Sequence, residues 1–218
     1  MSCPDCFRGG AATGTPSGTT ETLHGVSTYI ASPKPSAAGA DPAKPAATII
    51  LYTDAFGHLL PNNKLLADAL AAETRATVLV PDIIPGGGMS PAILPLMDTF
   101  SSPSAGALSK AWALGRAMLH VVPFFARASP QSEKSTRPCE EYARAVRREL
   151  DPALKLGLAG YCWGGFQALN IARREHDLVQ AVFVAHPARF EMSHAVDAVK
   201  NGVKVSFAHA AKDMSLPM

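Results

Sequence analysis

The chain has 218 residues, 47% of them hydrophobic and 17% charged, with a formal net charge of +2. That describes a single domain with a sizeable core, and a charge so near balance gives no support to a nucleic-acid or membrane-surface partner. The most apolar stretch, Ala111 to Ala126, carries Arg116, His120 and Pro123, so no membrane span is expected.

At the N-terminus, Met1 to Cys6 has neither a basic region nor an apolar one of the kind a secretory signal needs. Four cysteines are too few for a disulfide scaffold in a chain of this size, which makes a reducing cytoplasm the expected compartment. Residues 1–20, rich in Gly, Thr, Pro and Ser, are expected to run extended over the surface. Within them Cys3 and Cys6 have C-x-x-C spacing, but no second pair completes a zinc site and no βαβ unit surrounds them. No metal and no cofactor is expected. Thr22 to Ile30 alternates as an early strand does, and Ser32 to Pro45 is a Pro/Ala linker.

Ala47 to Tyr52 is a continuous apolar run, the signature of a central parallel strand covered on both faces. It ends at Thr53-Asp54-Ala55-Phe56-Gly57. A helix follows, with Asn62 or Asn63 as cap and Leu65, Leu66, Ala69 and Leu70 on one face. Thr77 to Val80 is the next strand, stopping at Pro81-Asp82, and strand, helix, strand makes a right-handed crossover.

No strand is expected between Asp82 and Lys155. Residues 83–137 hold Gly86-Gly87-Gly88, a helix around Ala105 to His120, a turn at Val122 to Phe125 and a polar loop to Arg137. So long an insertion reads as a lid or specificity element. The helix Pro138 to Leu150 puts Cys139, Tyr142, Ala143, Val146 and Leu150 on one stripe, so Cys139 is expected to face the core. Then come the strand Leu156 to Tyr161, a helix to about Arg174, the strand Ala181 to Val184, a helix near Glu191 to Val199 and the strand Val203 to Ala208. The alternation predicts an α/β three-layer sandwich around a mostly parallel sheet. Ligands of such sheets bind beyond the carboxyl ends of the strands, where Cys162, Asp54, His186 and Asp213 all fall.

Gly160-x-Cys162-x-Gly164 is the cysteine form of the G-x-S-x-G nucleophile elbow. The pentapeptide admits two readings: a nucleophile on a sharp strand-to-helix turn, or a glycine-rich turn around a small buried cysteine. Acyl transfer by a thiol requires a nucleophile, a base, an orienter for the base and donors to an oxyanion. Cys162 supplies the first, and elbow geometry makes the backbone N–H of Trp163 one oxyanion donor, with Ala55 in the loop after Ala47–Tyr52 chosen as the second. In this architecture the partners run nucleophile, acid, histidine, which assigns the acid to Asp213. All seven histidines precede Asp213. His186 and His58 follow strands, within reach of the site, but nothing in the sequence orients either, which favours packing or surface roles for both.

Gly160-Tyr161-Cys162-Trp163-Gly164-Gly165, Thr53-Asp54-Ala55-Phe56-Gly57, Val80-Pro81-Asp82 and Asp213-Met214-Ser215-Leu216-Pro217 together resemble the dienelactone hydrolase family of α/β-hydrolases. The fungal-type members, with an N-terminal Cys-Pro-Asp-Cys segment, are the most similar. The resemblance spans nearly the whole chain. It implies one α/β-hydrolase domain and a Cys–His–Asp triad acting on small carboxylic esters or enol-lactones, with Cys162 as nucleophile and Asp213 as acid. It places Asp54 where the family has an acidic residue near the thiol. It also implies a C-terminally truncated form, since the family's last strand, triad histidine and final helix would follow Met218. A non-catalytic binding protein, or an inactive truncated form, is therefore the alternative expectation.

Overall fold

Runs of apolar residues without polar alternation become strands buried on both faces. The computed structural model describes residues 12–33 and 45–208. Its strands are β1 (Thr19–Leu23), β2 (Val26–Ala31), β3 (Ala47–Tyr52), β4 (Thr77–Pro81), β5 (Lys155–Tyr161), β6 (Ala181–Ala185) and β7 (Lys204–Ala208). Its helices are α1 (Asn62–Thr74), α2 (Leu94–Ser101), α3 (Ala107–Ala128), α4 (Glu133–Glu149), α5 (Trp163–Arg174) and α6 (Met192–Lys200), with a 3-10 turn at Pro91–Ile93. One sheet of order β1-β2-β4-β3-β5-β6-β7 contains all the strands. From β4 to β7 it is parallel, β2 runs against β4, and β1 pairs antiparallel with β2.

Successive residues of a strand point to opposite faces, and the two faces are covered differently. Ile50, Tyr52, Leu79, Leu156, Leu158 and Val182 look toward the main core, which Phe124 of α3, Cys139 and Tyr142 of α4, Leu169 of α5 and Ala195 of α6 complete. Leu51, Val78, Val80 and Ala159 look the other way, onto Ala67 and Ala71 of α1. Over β5–β7 this second face forms an apolar groove of about 440 Å³, lined by Ile49, Gly157, Ala159, Ala181 and Phe183 and flanked by Leu70 and Thr74 of α1. The layers are those of an α/β/α sandwich, as the alternation of elements predicts, and Cys139 is fully buried.

Four local expectations change. Thr22 to Ile30 is not one strand: His24 and Gly25, both at positive φ (53° and 77°), form a two-residue turn between β1 and β2. Neither asparagine caps α1, whose N-cap is Pro61 without a side-chain bond. Asn63 is buried and turned to the loop after β3, and the buried face of α1 centres on Ala67 and Ala71 rather than on the leucines, with Ala69 exposed. The turn expected at Val122 to Phe125 is helical, because α3 continues through Pro123 to Ala128. An interior proline costs about 3 kcal/mol, but the carbonyl it strands belongs to an exposed residue, Leu119, and Phe124 and Ala128 are wholly buried. Likewise the polar loop before Arg137 is part of α4, which begins at Glu133 and carries Pro138 within it.

The described stretch before β1 is fastened to α1. Gly18 N–H donates to the Tyr29 hydroxyl (2.6 Å), which itself donates to Asp68 Oδ1 (2.6 Å), while Ser17 N–H donates to Asp68 Oδ2 (2.7 Å). Burial, and then the Asp68 carboxylate, push the Tyr29 phenol up to about 12.

Candidate active site

Cys162 stands between the last residue of β5 and the first of α5, as N-cap, with φ 50° and ψ −111°. An L residue meets steric crowding at positive φ, and a conformation of this kind persists only where the surroundings impose it. Here the backbone is held on every side. Cys162 N–H donates to Ala185 O (3.1 Å), and its carbonyl accepts from Gly165 N–H (3.1 Å) and Ala188 N–H (2.9 Å). The side chain is half-buried.

The glycines around it are explained by close approach. A Cβ on Gly160 would lie 2.4 Å from Gly164 O and 2.8 Å from the Ala168 Cβ. A Cβ on Gly164 would lie 2.2 Å from Tyr52 O and 2.5 Å from Thr53 O. The elbow glycines therefore let α5 lie against its own strand and against the end of β3, rather than clear space around the thiol itself.

That contact brings the loop after β3 to the elbow. Gly164 N–H donates to Thr53 O (2.9 Å), and the loop then turns at Asp54, whose Oδ1 accepts from Phe56 N–H (2.9 Å) and Asn63 Nδ2 (3.0 Å). Asn63 also donates to Gly57 O (3.0 Å), clamping both ends of the turn. Of the first N–H groups of α5, those of Gly164 and Gly165 are taken by Thr53 and Cys162. Among the described residues, the N–H of Trp163 and that of Ala55 have no acceptor.

A second loop stands behind the first. Gly88 lies against Phe56, so closely that a Cβ would be 2.2 Å from Phe56 O, and Met89 N–H donates to Ala55 O (2.7 Å). Arg127 of α3 reaches this glycine loop, its Nη2 donating to Gly87 O (3.0 Å) and Gly88 O (3.2 Å), with the guanidinium over the Phe124 ring. On the other side the Trp163 indole Nε1 donates to Ala128 O at the end of α3 (2.8 Å). Asn63, Arg127 and the Trp163 indole escaped sequence reasoning. The run Gly86-Gly87-Gly88 was the visible signal that backbone approaches closely there.

Among the residues expected from sequence, then, Cys162 and Trp163 stand at the start of α5, and Asp54 and Ala55 in the loop after β3 to which Gly164 is bonded. Asp213, Cys3 and Cys6 lie outside the described residues. His58 gives its Nε2 to Val80 O (3.0 Å), and burial lowers its pKa against the opposing pull of Asp82. His186, at φ 37°, follows β6 next to Ala185, and its ring lies 6.4 Å from that of Tyr161. A larger groove of about 730 Å³ between α4, α5 and α6 is lined by Arg137, Glu140, Arg144, Arg173 and His194, and contains none of these site residues. Among the described residues no cluster of His, Cys, Asp or Glu is arranged to hold a metal ion, and no helix is long and apolar enough to cross a membrane.

A mostly parallel sheet with helices on both faces, and a strand-to-helix corner at the carboxyl end of β5, define an α/β-hydrolase fold. The model described as the dienelactone hydrolase family matches residues 28–218, and the chain belongs to that family. It is 29% identical over 214 residues to "Dienlactone hydrolase 1" of Gibberella moniliformis, covering 95% of this chain and 68% of the relative. Solved structures similar to it include a dienelactone hydrolase from Anabaena variabilis (12% identity, TM-score 0.47, covering 91% of this chain and 88% of that one). Est1E from Butyrivibrio proteoclasticus is another (16% identity, TM-score 0.47, covering 92% and 81%).

Proposed function

We propose that the protein hydrolyses small carboxylic esters or enol-lactones with Cys162 as nucleophile. The sulfur attacks the carbonyl carbon, the carbonyl oxygen takes up negative charge, the alcohol or enol oxygen leaves, and water cleaves the resulting thioester. The N–H groups of Trp163 and Ala55 receive the oxyanion, and Asp213 is the triad acid. Asp54 fixes the turn that carries Ala55. The scheme uses no metal and no cofactor, and a thiol nucleophile suits a reducing cytoplasm.

The observation that carries this reading is the corner itself: a half-buried cysteine at φ 50° beside two backbone N–H groups that no described residue uses. A neutral histidine is the base such a scheme requires. The engagement of His58 Nε2 with Val80 O favours a second reading, in which this chain binds esters or lactones without turning them over.

Turnover of p-nitrophenyl acetate separates the two. It is measured for this chain and for its Cys162→Ser form, with mass spectrometry for a thioester on Cys162. Cys162-dependent turnover supports the hydrolase. Absence of it, with a lactone analogue still bound, supports the second reading and overturns the first.

A further inference from the structure

The buried residues of α1 are Asn63, Ala67 and Ala71, spaced so that they share one face of the helix. The two alanines belong to the cluster that holds Leu51, Val78 and Val80 of the sheet. The first residue of the stripe is polar. Asn63 is 3% exposed, and an amide so enclosed destabilises the fold unless its hydrogens find acceptors. They do: Nδ2 donates to Asp54 Oδ1 and to Gly57 O, each at 3.0 Å. A carboxylate and a backbone carbonyl only accept, which sets the nitrogen of the amide on that side. Asparagine at a helix start ordinarily serves the helix as its cap. Here α1 has no side-chain cap, and the amide serves the preceding loop instead.

That loop carries the Ala55 N–H, which shares one planar peptide with the Asp54 carbonyl and points the opposite way. Whatever holds the carbonyl therefore aims the N–H. Asp54 O accepts from Gly57 N–H (3.2 Å) and from the Thr53 hydroxyl (3.1 Å), both long for bonds of their kind. The turn thus closes weakly on itself. Asn63 grips it from outside at both ends, at Gly57 O and at the Asp54 carboxylate, whose Oδ1 also takes Phe56 N–H (2.9 Å). Met89 N–H holds Ala55 O (2.7 Å), which fixes the next peptide and not the one that presents the Ala55 N–H.

We infer that Asn63 is a positioning residue: through Asp54 and Gly57 it keeps the Ala55 N–H aimed at the carbonyl oxygen of the ester or lactone that Cys162 attacks. This rests on the hydrolase reading and adds to it a residue that works only through the turn. Its contribution appears as negative charge gathers on that oxygen. It does not alter the nucleophilicity of the sulfur.

Two reactions of Cys162 separate those effects. Acylation by p-nitrophenyl acetate develops an oxyanion, whereas alkylation by iodoacetamide displaces iodide and develops none. Both rates are measured for the parent chain, for Asn63→Ala and for Ala67→Gly, with peptide mass mapping to confirm the labelled cysteine. Losing a whole oxyanion donor slows such reactions by about 10²–10³, and a donor left unaimed should slow acylation by at least about tenfold. Alkylation by iodoacetamide should be unchanged in Asn63→Ala. Ala67→Gly loosens the same helix at a fully buried neighbour and should leave the ratio of the two rates as in the parent. Asn63→Asp keeps the shape of the side chain and suits a helix N-terminus, but it turns a carboxylate toward two acceptors. It carries the same comparison where the alanine form does not fold, with the same loss expected. The inference is overturned if the Asn63 forms keep the parent ratio, or if Ala67→Gly lowers it as far. A parent chain that is alkylated but never acylated at Cys162 would instead overturn the hydrolase reading, and this inference with it.

Discussion

Gly164 N–H donates to the carbonyl oxygen of Thr53 at 2.9 Å, which joins the helix after Cys162 to the loop after β3 backbone to backbone. The helix can approach so closely only because residue 164 has no side chain. A Cβ there would meet Tyr52 O at 2.2 Å, and carbonyl groups of a central strand cannot swing aside. Gly164→Ala is expected to cost about 3 kcal/mol, as overpacking of a rigid site does. Gly115 is the control: its Cβ would meet nothing within 4 Å, so Gly115→Ala should stabilise α3 by up to about 1 kcal/mol. Urea midpoints at constant m-value check both.

The bonds from α3 to the site predict a different pattern. Trp163→Phe keeps the backbone N–H but removes the indole donor, leaving the buried Ala128 carbonyl unsatisfied at a cost of about 1–3 kcal/mol. Arg127→Met releases Gly87 O and Gly88 O in the same way. Hydrogen exchange should then quicken at Met89, whose N–H is held by Ala55 O, more than at β5. Equal quickening across the sheet would mean global destabilisation instead.

Two of the four cysteines should differ sharply toward iodoacetamide. Cys162 is half-buried at its corner, whereas Cys139 is fully enclosed and burial, then Glu140, hold its thiol well above the usual range. Brief alkylation followed by peptide mapping should label Cys162 and spare Cys139. Labelling of Cys139 first would contradict the packing of α4.

Acid should weaken the fold through two histidines. Burial lowers the pKa of His58 and of His194, the latter set edge-on to the Phe166 ring and further opposed by Arg173. Their neutral forms are the ones the folded state favours, so they carry no penalty above the unfolded value of about 6.5. Below it the unfolded chain binds protons that the native one resists, and stability falls with falling pH until the lowered native values are reached. In His194→Gln the melting temperature should depend less steeply on pH between neutrality and mild acid. An unchanged slope would remove His194 from this account.

What the sequence disclosed follows from which forces act locally. Ala47–Tyr52 and the strand into Cys162 were legible because burial on both faces leaves an uninterrupted apolar run, and the elbow because close approach demands glycine at fixed spacing. The length of α3 was not. Local rules stop a helix at Pro123, and only the burial of Phe124 and Ala128 against the core carries it further. The His24–Gly25 turn was hidden because the pair lacks the Asn-Gly or Asp-Gly signature that usually marks a two-residue hairpin. Asn63 read as a cap because Asn before an apolar helix usually is one. Its bonds to Asp54 and Gly57 exist only once α1 has folded against the loop.

The dihedral angles at residue 162 carry one more implication. Substituting alanine removes the sulfur but leaves a Cβ in a backbone region that glycine alone occupies with ease, while substituting glycine removes the sulfur and the crowding together. Glycine ordinarily loosens a fold, yet here the glycine form should outlast the alanine form by about 1 kcal/mol in thermal or urea unfolding. At this corner, sturdiness and a thiol exclude one another.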